Sequence, residues 1–226
     1  FDYLPTPVWS NAGSITLGGG GGLLYDGTLV AQGGAAAADG GTLTISPAIM
    51  SVLNNLNNRL HETITRASGI ILQQSGTFVP AGLQPGQAIS DNTFGYERFA
   101  VDRLAGSGID NLVVGIDPAA AAGLLLVNNP STPNGGVPVG FAGNVSIDLG
   151  RSFESAATEY VALAAGATSI PSITAGQSSV GGTAVSISAP YVDFGGGALG
   201  KNPVVEAADG TLSIHAGTLD LTGQIA

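Results

Sequence analysis

The sequence predicts an all-β protein in which short strands stack on one another as a β-solenoid, and three observations carry that prediction. The first is a recurring phrase of glycine, a small polar residue and alternating apolar positions: Gly13-Ser14-Ile15-Thr16-Leu17, Gly41-Thr42-Leu43-Thr44-Ile45, Gly143-Asn144-Val145-Ser146-Ile147, Gly182-Thr183-Ala184-Val185-Ser186-Ile187, Gly210-Thr211-Leu212-Ser213-Ile214 and Gly217-Thr218-Leu219-Asp220-Leu221. Alternation with a period of two sends Ile, Leu and Val to one face and Ser, Thr and Asp to the other, and the leading glycine suits a turn in front of each strand. A strand of about five residues cannot bury its own apolar face, so such units must stack. The second is composition: glycine supplies 36 of 226 residues and charged residues only 10%, where about 25% charged is usual. The third is that 44% of the chain is apolar with a mean hydropathy of +0.34, enough to build a core and contrary to the signature of disorder. The glycines have no three-residue period, which excludes collagen. One elongated domain, residues 1–226, is expected.

Along the chain, strand phrases alternate with glycine tracts at 18–22 and 33–41, which read as loops or corners. The first tract lacks the Gly-Lys-Ser/Thr ending of a phosphate loop and the βα context of a dinucleotide fingerprint, so nucleotide binding is disfavoured. Residues 47–67 break the pattern. Ile49, Leu53, Leu56, Leu60 and Ile64 fall at spacings of four, three, four and four, the period of an amphipathic helix. Ser46-Pro47 suits its start and Gly69 its stop, so a helical insertion is expected there, covering a flank of the core or presenting a binding surface. Its polar face holds Asn54, Asn55, Asn57 and Asn58. Asparagine is a poor helix former, which leaves a loop or an asparagine-bearing turn of the solenoid as the rival.

Next come a strand pair over 70–79, a turn at Pro85-Gly86 and a strand over Ile109 to Ile116. Residues 119–127 read equally as a short helix or an apolar strand, and 128–138, with three prolines and two glycines, as an exposed loop. From Val139 onward the pattern returns to short strands. Within that region Leu219 and Leu221 are expected to face inward, so that Asp at either should cost several kcal/mol.

The formal charge of −10 disfavours nucleic acid and anionic membrane surfaces as partners. No apolar run approaches the roughly 18 residues of a membrane span. Absence of cysteine removes disulfide scaffolds, zinc–thiolate sites and thiol nucleophiles. Phe1 opens the sequence and Gly223-Gln224-Ile225-Ala226 closes it part-way through a strand phrase, so a segment excised from a longer protein is expected.

The succession Trp9-Ser10-Asn11-Ala12-Gly13-Ser14-Ile15, Gly40-Gly41-Thr42-Leu43-Thr44-Ile45, Ser107-Gly108-Ile109-Asp110-Asn111-Leu112-Val113-Val114, Val185-Ser186-Ile187-Ser188-Ala189-Pro190-Tyr191-Val192 and Asp220-Leu221-Thr222-Gly223-Gln224-Ile225 resembles filamentous-haemagglutinin-type large exoproteins. The likeness is to the internal region that such proteins carry after their secretion domain, and it spans most of the chain outside 47–67. It implies a right-handed parallel β-helix, secreted or displayed on the surface of a Gram-negative bacterium through a two-partner outer-membrane pore. It also implies a role as shaft of an adhesin, with that pore, the neighbouring coils and a cell-surface receptor or glycan as partners. Motifs of the secretion domain and of a toxin tip are not found in this sequence.

Parallel β-helices also carry polysaccharide lyases and hydrolases, so clustered charges bear on function. The candidate sets are Asp148 with Arg151 and Glu154, and Asp91 with Glu97 and Arg98; the first lies on a strand and the following turn, where solvated surface charge accounts for it. His61-Glu62 lacks the second histidine of a helical zinc site, and His215 falls on the polar side of its alternation. Calcium-binding nonapeptide repeats are absent. No catalytic, cofactor or metal residues are assigned, and no enzyme is expected. A carbohydrate-active β-helix enzyme and a phage tail-fibre or spike module are the alternatives.

Overall fold

A computed structural model describes residues 8–19, 22–46, 50–56, 59–65, 69–87, 96–115, 139–156, 160–164, 184–194, 204–206, 210–221 and 224–225. Sixteen strands run through them: β1 (Ser14–Leu17), β2 (Leu23–Leu24), β3 (Gly41–Ile45), β4 (Met50–Leu56), β5 (Arg59–Thr65), β6 (Gly69–Gln73), β7 (Tyr96–Ala100) and β8 (Ile109–Gly115), then β9 (Val139–Ala142), β10 (Val145–Asp148), β11 (Ser152–Ala156), β12 (Tyr160–Ala164), β13 (Ala184–Asp193), β14 (Val204–Glu206), β15 (Thr211–Asp220) and β16 (Gln224–Ile225). Among the described residues the one helical element is a 3-10 turn at Val101–Leu104.

The chain alternates between two curled, wholly parallel sheets. One is stacked β1-β3-β8-β11-β13, with β10 and β15 also paired to β13; the other runs β2-β7-β6-β9-β12-β14-β16. Register in the first sheet aligns Ile15, Leu43, Leu112, Phe153, Val192 and Leu219 in one column. Leu43, Leu112, Phe153 and Val192 are fully buried and join Ile70, Leu72, Phe99 and Phe141 of the second sheet in one apolar cluster. Phe153 and Phe194 pack with centroids 5.6 Å apart. The period-two alternation therefore does what the sequence requires: burial in β3 and β10 strictly alternates along the strand.

The leading glycines act less uniformly than a turn before each strand would need. Among the described phrase leaders only Gly143 has a left-handed φ, +75°. Gly41 is required for a different reason, since a Cβ there would lie 2.5 Å from the Ala31 Cβ and 2.9 Å from the Gly13 carbonyl oxygen. Gly217 has no turn at all: the last two phrases merge into the single ten-residue β15. Opposite it, β13 is one unbroken strand while its neighbour is divided into β10 and β11. Asp148 pairs with Ser188 and Ser152 with Tyr191, so Leu149, Gly150 and Arg151 face only Ala189 and Pro190. This is a bulge, and Pro190, which has no N–H to donate, sits where the ladder is already interrupted.

Three expectations are corrected. The described part of 47–67 is not a helix; Met50–Leu56 and Arg59–Thr65 pair antiparallel as a separate two-stranded sheet, Met50 opposite Thr65 and Leu56 opposite Arg59. The helical spacing of the leucines is outweighed by four asparagines and by Val52, Thr63, Ile64 and Thr65, types that favour strands over helices. The 70–79 strand pair is one strand, β6. Leu219 and Leu221 are not buried: they are 43% and 36% exposed, because β15 is paired on one side only among the described residues. In the second sheet β7 lies between β2 and β6 although it follows both in sequence, so stacking does not keep chain order there. The strand over Ile109–Gly115 and the turn at Pro85-Gly86, with φ +86° at Gly86, are as expected. Residues 119–127 and 128–138 lie outside the described residues, as does the Gly182 corner.

Candidate functional site

Two places gather chemistry-bearing side chains. The first is the outer face of the sheet that contains β13, where parallel register turns single polar residues into rows. Asn111, Ser152, Tyr191 and Thr218 form one row, and Glu154, Asp193 and Asp220 form the next. Successive strands in such a ladder are about 4.8 Å apart, so three carboxylates stand one above another. Ser152 is buried, its hydroxyl 3.0 Å from Asn111 Oδ1 and 3.1 Å from Glu154 Oε1. The Tyr191 phenol is raised above its usual value of 10.0, chiefly by desolvation and then by the charges of Asp193, Asp220 and Glu154. It also donates a hydrogen bond to Asp193.

Of the first sequence-predicted set, the structure does not bring Arg151 to Asp148 or Glu154; its guanidinium pairs with Asp39 at 2.8 Å, both side chains exposed. Such a pair is worth about 0–1 kcal/mol. Asp148 is instead in a row with Ser188 and His215. Serine lies in the middle of that row, whereas activation of a serine needs the histidine between it and the acid. The row is a surface ladder without a triad's order. His61 is opposite Asn54 in the hairpin. Among the described residues no group of His, Asp and Glu could hold a metal ion.

The second place is β7. Asp91 lies outside the described residues, and Glu97 and Arg98 point to opposite faces of their strand by simple alternation. Glu97 shares the inner side with Phe99, between the register positions of Leu23 and Ile70, and is fully buried. Its Oε1 accepts the Gly19 N–H at 2.9 Å, while Oε2 has no partner among the described residues. Burial pushes its carboxyl up to about 7, against the smaller opposing effect of the Gly19 bond. The signal was present in the sequence: read as a strand, Tyr96-Glu97-Arg98-Phe99-Ala100 puts the acid on the face of the phenylalanine.

Nearby, Arg103 ties the chain together rather than reaching outward. It bonds the Asp26 carboxylate at 3.2 Å and the carbonyls of Asp26, Gly27 and Gly76. Asp26 in turn accepts the N–H groups of Phe78 and Val79. The depression that Arg103 borders, against residues 27–30 and 105–107, encloses about 260 Å³, below the roughly 300–1,000 Å³ of small-molecule sites. Among the described residues no helix is long and apolar enough to cross a membrane. No family model, no curated protein and no solved structure matches the chain.

Proposed function

We propose that this chain is a shaft segment of a secreted bacterial surface exoprotein or adhesin, built as a right-handed parallel β-helix and exported by a two-partner outer-membrane pore. One observation carries the reading: the column Ile15-Leu43-Leu112-Phe153-Val192-Leu219 continues in register across six parallel strands while the chain shuttles between two sheets. A structure of that kind is stabilised by contacts between neighbouring levels, so its length can be set by repetition without redesigning the core. Its outer faces carry solvated Ser, Thr and acidic rows, which suits a spacer that stays in solution at a net charge of −10. Folding at the far side of a pore would also draw the chain outward, and the absence of cysteine keeps the translocating chain free of covalent loops.

The test is export itself. Placed behind a two-partner secretion domain and produced with its pore, the chain should become accessible to protease on intact cells and attach those cells to a host or bacterial surface. Retention in the periplasm would overturn the export reading. Release of reducing or unsaturated ends from a polysaccharide panel would replace the shaft by an enzyme.

A further inference from the structure

We propose that Glu97 is a proton-operated latch on the strap that joins β1 to β2, closed while its carboxyl is protonated and released when it ionises. Three observations build the latch. The first is the position of the acid. Glu97 is fully buried on the inner side of β7, where its Oε1 accepts the Gly19 N–H at 2.9 Å and its Oε2 has no partner among the described residues. A carboxyl so placed is tolerated when neutral and penalised when charged, because burial removes the water that a carboxylate needs on both oxygens.

The second is what surrounds it. Leu23 of β2 and Ile70 of β6 are its register neighbours, Phe99 shares its side of β7, and the first sheet turns Leu17, Leu43 and Ile45 into the same core. None of these can balance a negative charge. Strands β1, β3 and β6 contain no titratable residue at all. Beyond β2 the chain adds Tyr25, whose ring stacks on Phe99 with centroids 6.2 Å apart and whose hydroxyl donates to the Thr28 carbonyl. Arg98 belongs to the opposite face of β7, and Asp26, next to Tyr25, is matched by Arg103 at 3.2 Å.

The third is that the strap is the most weakly tied of the walls. Ile70 is fully buried in a five-residue strand bonded on both sides, to β7 and β9. Leu23 is only half-buried, in a strand of two residues, and Gly18, Gly19 and Gly22 bring no side chain to the core. A Cβ at Gly19 would overlap the Gly22 carbonyl oxygen, and Gly22 has a φ of +137°, so the strap turns tightly where only glycine fits. Its displacement is therefore the shortest way to bring water to both oxygens of an ionised Glu97. The Gly19 bond opposes release, since a carboxylate accepts more strongly than an acid, but burial is the larger of the two effects. Release is local, because β1 keeps its own pairing to β3 from Ser14 to Leu17. It rests on these contacts alone and not on export.

The test is amide hydrogen exchange of the full chain from pH 4.5 to 8, each rate divided by the intrinsic rate at that pH. With the carboxyl at about 7 when closed and 4.5 when free, opening should become up to about 300-fold more frequent across this range and then level off. Protection of Gly19 and residues 22–25 is expected to fall accordingly in the parent and to stay flat in Glu97→Gln. Glu97→Leu, uncharged and without the Gly19 bond, should be equally flat. Circular dichroism checks that both variants keep their strand content. Sub-denaturing urea separates the routes of exchange: local opening exposes little surface and should barely respond, whereas residues 109–115 should follow the full urea dependence of unfolding. Strap amides unprotected already at pH 4.5, a pH dependence that survives in either variant, or strap exchange with the urea dependence of 109–115 would each overturn the proposal. The last result would remove the latch while leaving the buried carboxyl in place.

Discussion

Replacing Glu97 by Gln should remove a specific pH dependence of stability. The folded carboxyl titrates at about 7 against a reference of 4.5, so between those values the folded chain holds a proton that the unfolded chain has released. Stability must then fall as pH rises through this window, with the full contribution present below about 4.5 and lost above about 7. At about 1.4 kcal/mol per pH unit the span amounts to roughly 3 kcal/mol. The cause is geometric. The carboxylate is fully buried, among the described residues only one of its oxygens is bonded, to Gly19, and the columns above and below it supply Leu23 and Ile70. An ionised carboxylate there is incompletely compensated, whereas a neutral acid or an amide is not penalised for charge.

The assay is urea unfolding of the parent and Glu97→Gln at intervals from pH 4.5 to 8. With a urea dependence of about 2–3 kcal/mol per molar for a chain of this size, the midpoint of the parent should fall by about 1 M more than that of the variant. Other carboxylates repel one another more as pH rises and tilt both curves alike, so the difference between them isolates position 97. The variant should be the more stable at pH 8, with the gap closing toward pH 4.5. Parallel curves, or a variant that is weaker at pH 8, would refute the placement of this carboxyl inside the core.

Burial rather than apolar identity should decide the cost of substitutions along one column. Leu112→Ala, at a fully buried position, is expected to lose about 2–5 kcal/mol, while Leu219→Asp at the 43% exposed end of the same column should change stability by less than about 1 kcal/mol; chemical denaturation of both checks the contrast. The Tyr191 phenol should ionise above 10.0 because of its surroundings, and Asp193→Asn should lower that value, seen as the difference in ultraviolet titration against Tyr191→Phe.

What the sequence made legible was the alternation. Strands β1, β3 and β10 and the first halves of β13 and β15 fall on segments where Ile, Leu and Val recur every second residue, and the faces that β3 and β10 bury follow from that spacing. Two things were misread for definite reasons. At 47–67 the leucine spacing fits a helix, but apolar spacing alone does not separate a helix from a hairpin when β-branched residues and asparagines are interleaved with it. At 96–100 two adjacent charges concealed a strand, because a core position occupied by Glu97 breaks the apolar pattern that identifies strands. The candidate site was less legible than the fold. Rows such as Glu154-Asp193-Asp220 and Asp148-Ser188-His215 combine residues 27 to 39 and 27 to 40 apart in sequence, and only register brings them together. Spacing within one chain segment carries no trace of register between distant ones.

The position of β7 limits how this chain can be built from one end to the other. In the sheet that contains β13, β1, β3, β8, β11, β13 and β15 pair in chain order and can be added as they emerge, and only β10 waits, for β13. The other sheet cannot grow that way: β2 is bonded to β7, and β6 to β7 and β9, so neither β2 nor β6 has a neighbour in its own sheet until residues 96–100 arrive. Until then Leu23 and the fully buried Ile70 and Leu72 lack the strand that covers them. Loop-closure entropy must be met before such long-range pairing is rewarded, which makes the first cooperative unit extend through β8 rather than consist of a single level. Nested chains ending at residue 95 and at residue 115 should therefore differ sharply in amide-exchange protection of residues 69–73, absent in the shorter and present in the longer. Equal protection in both would mean that β6 is held by something other than its place beside β7.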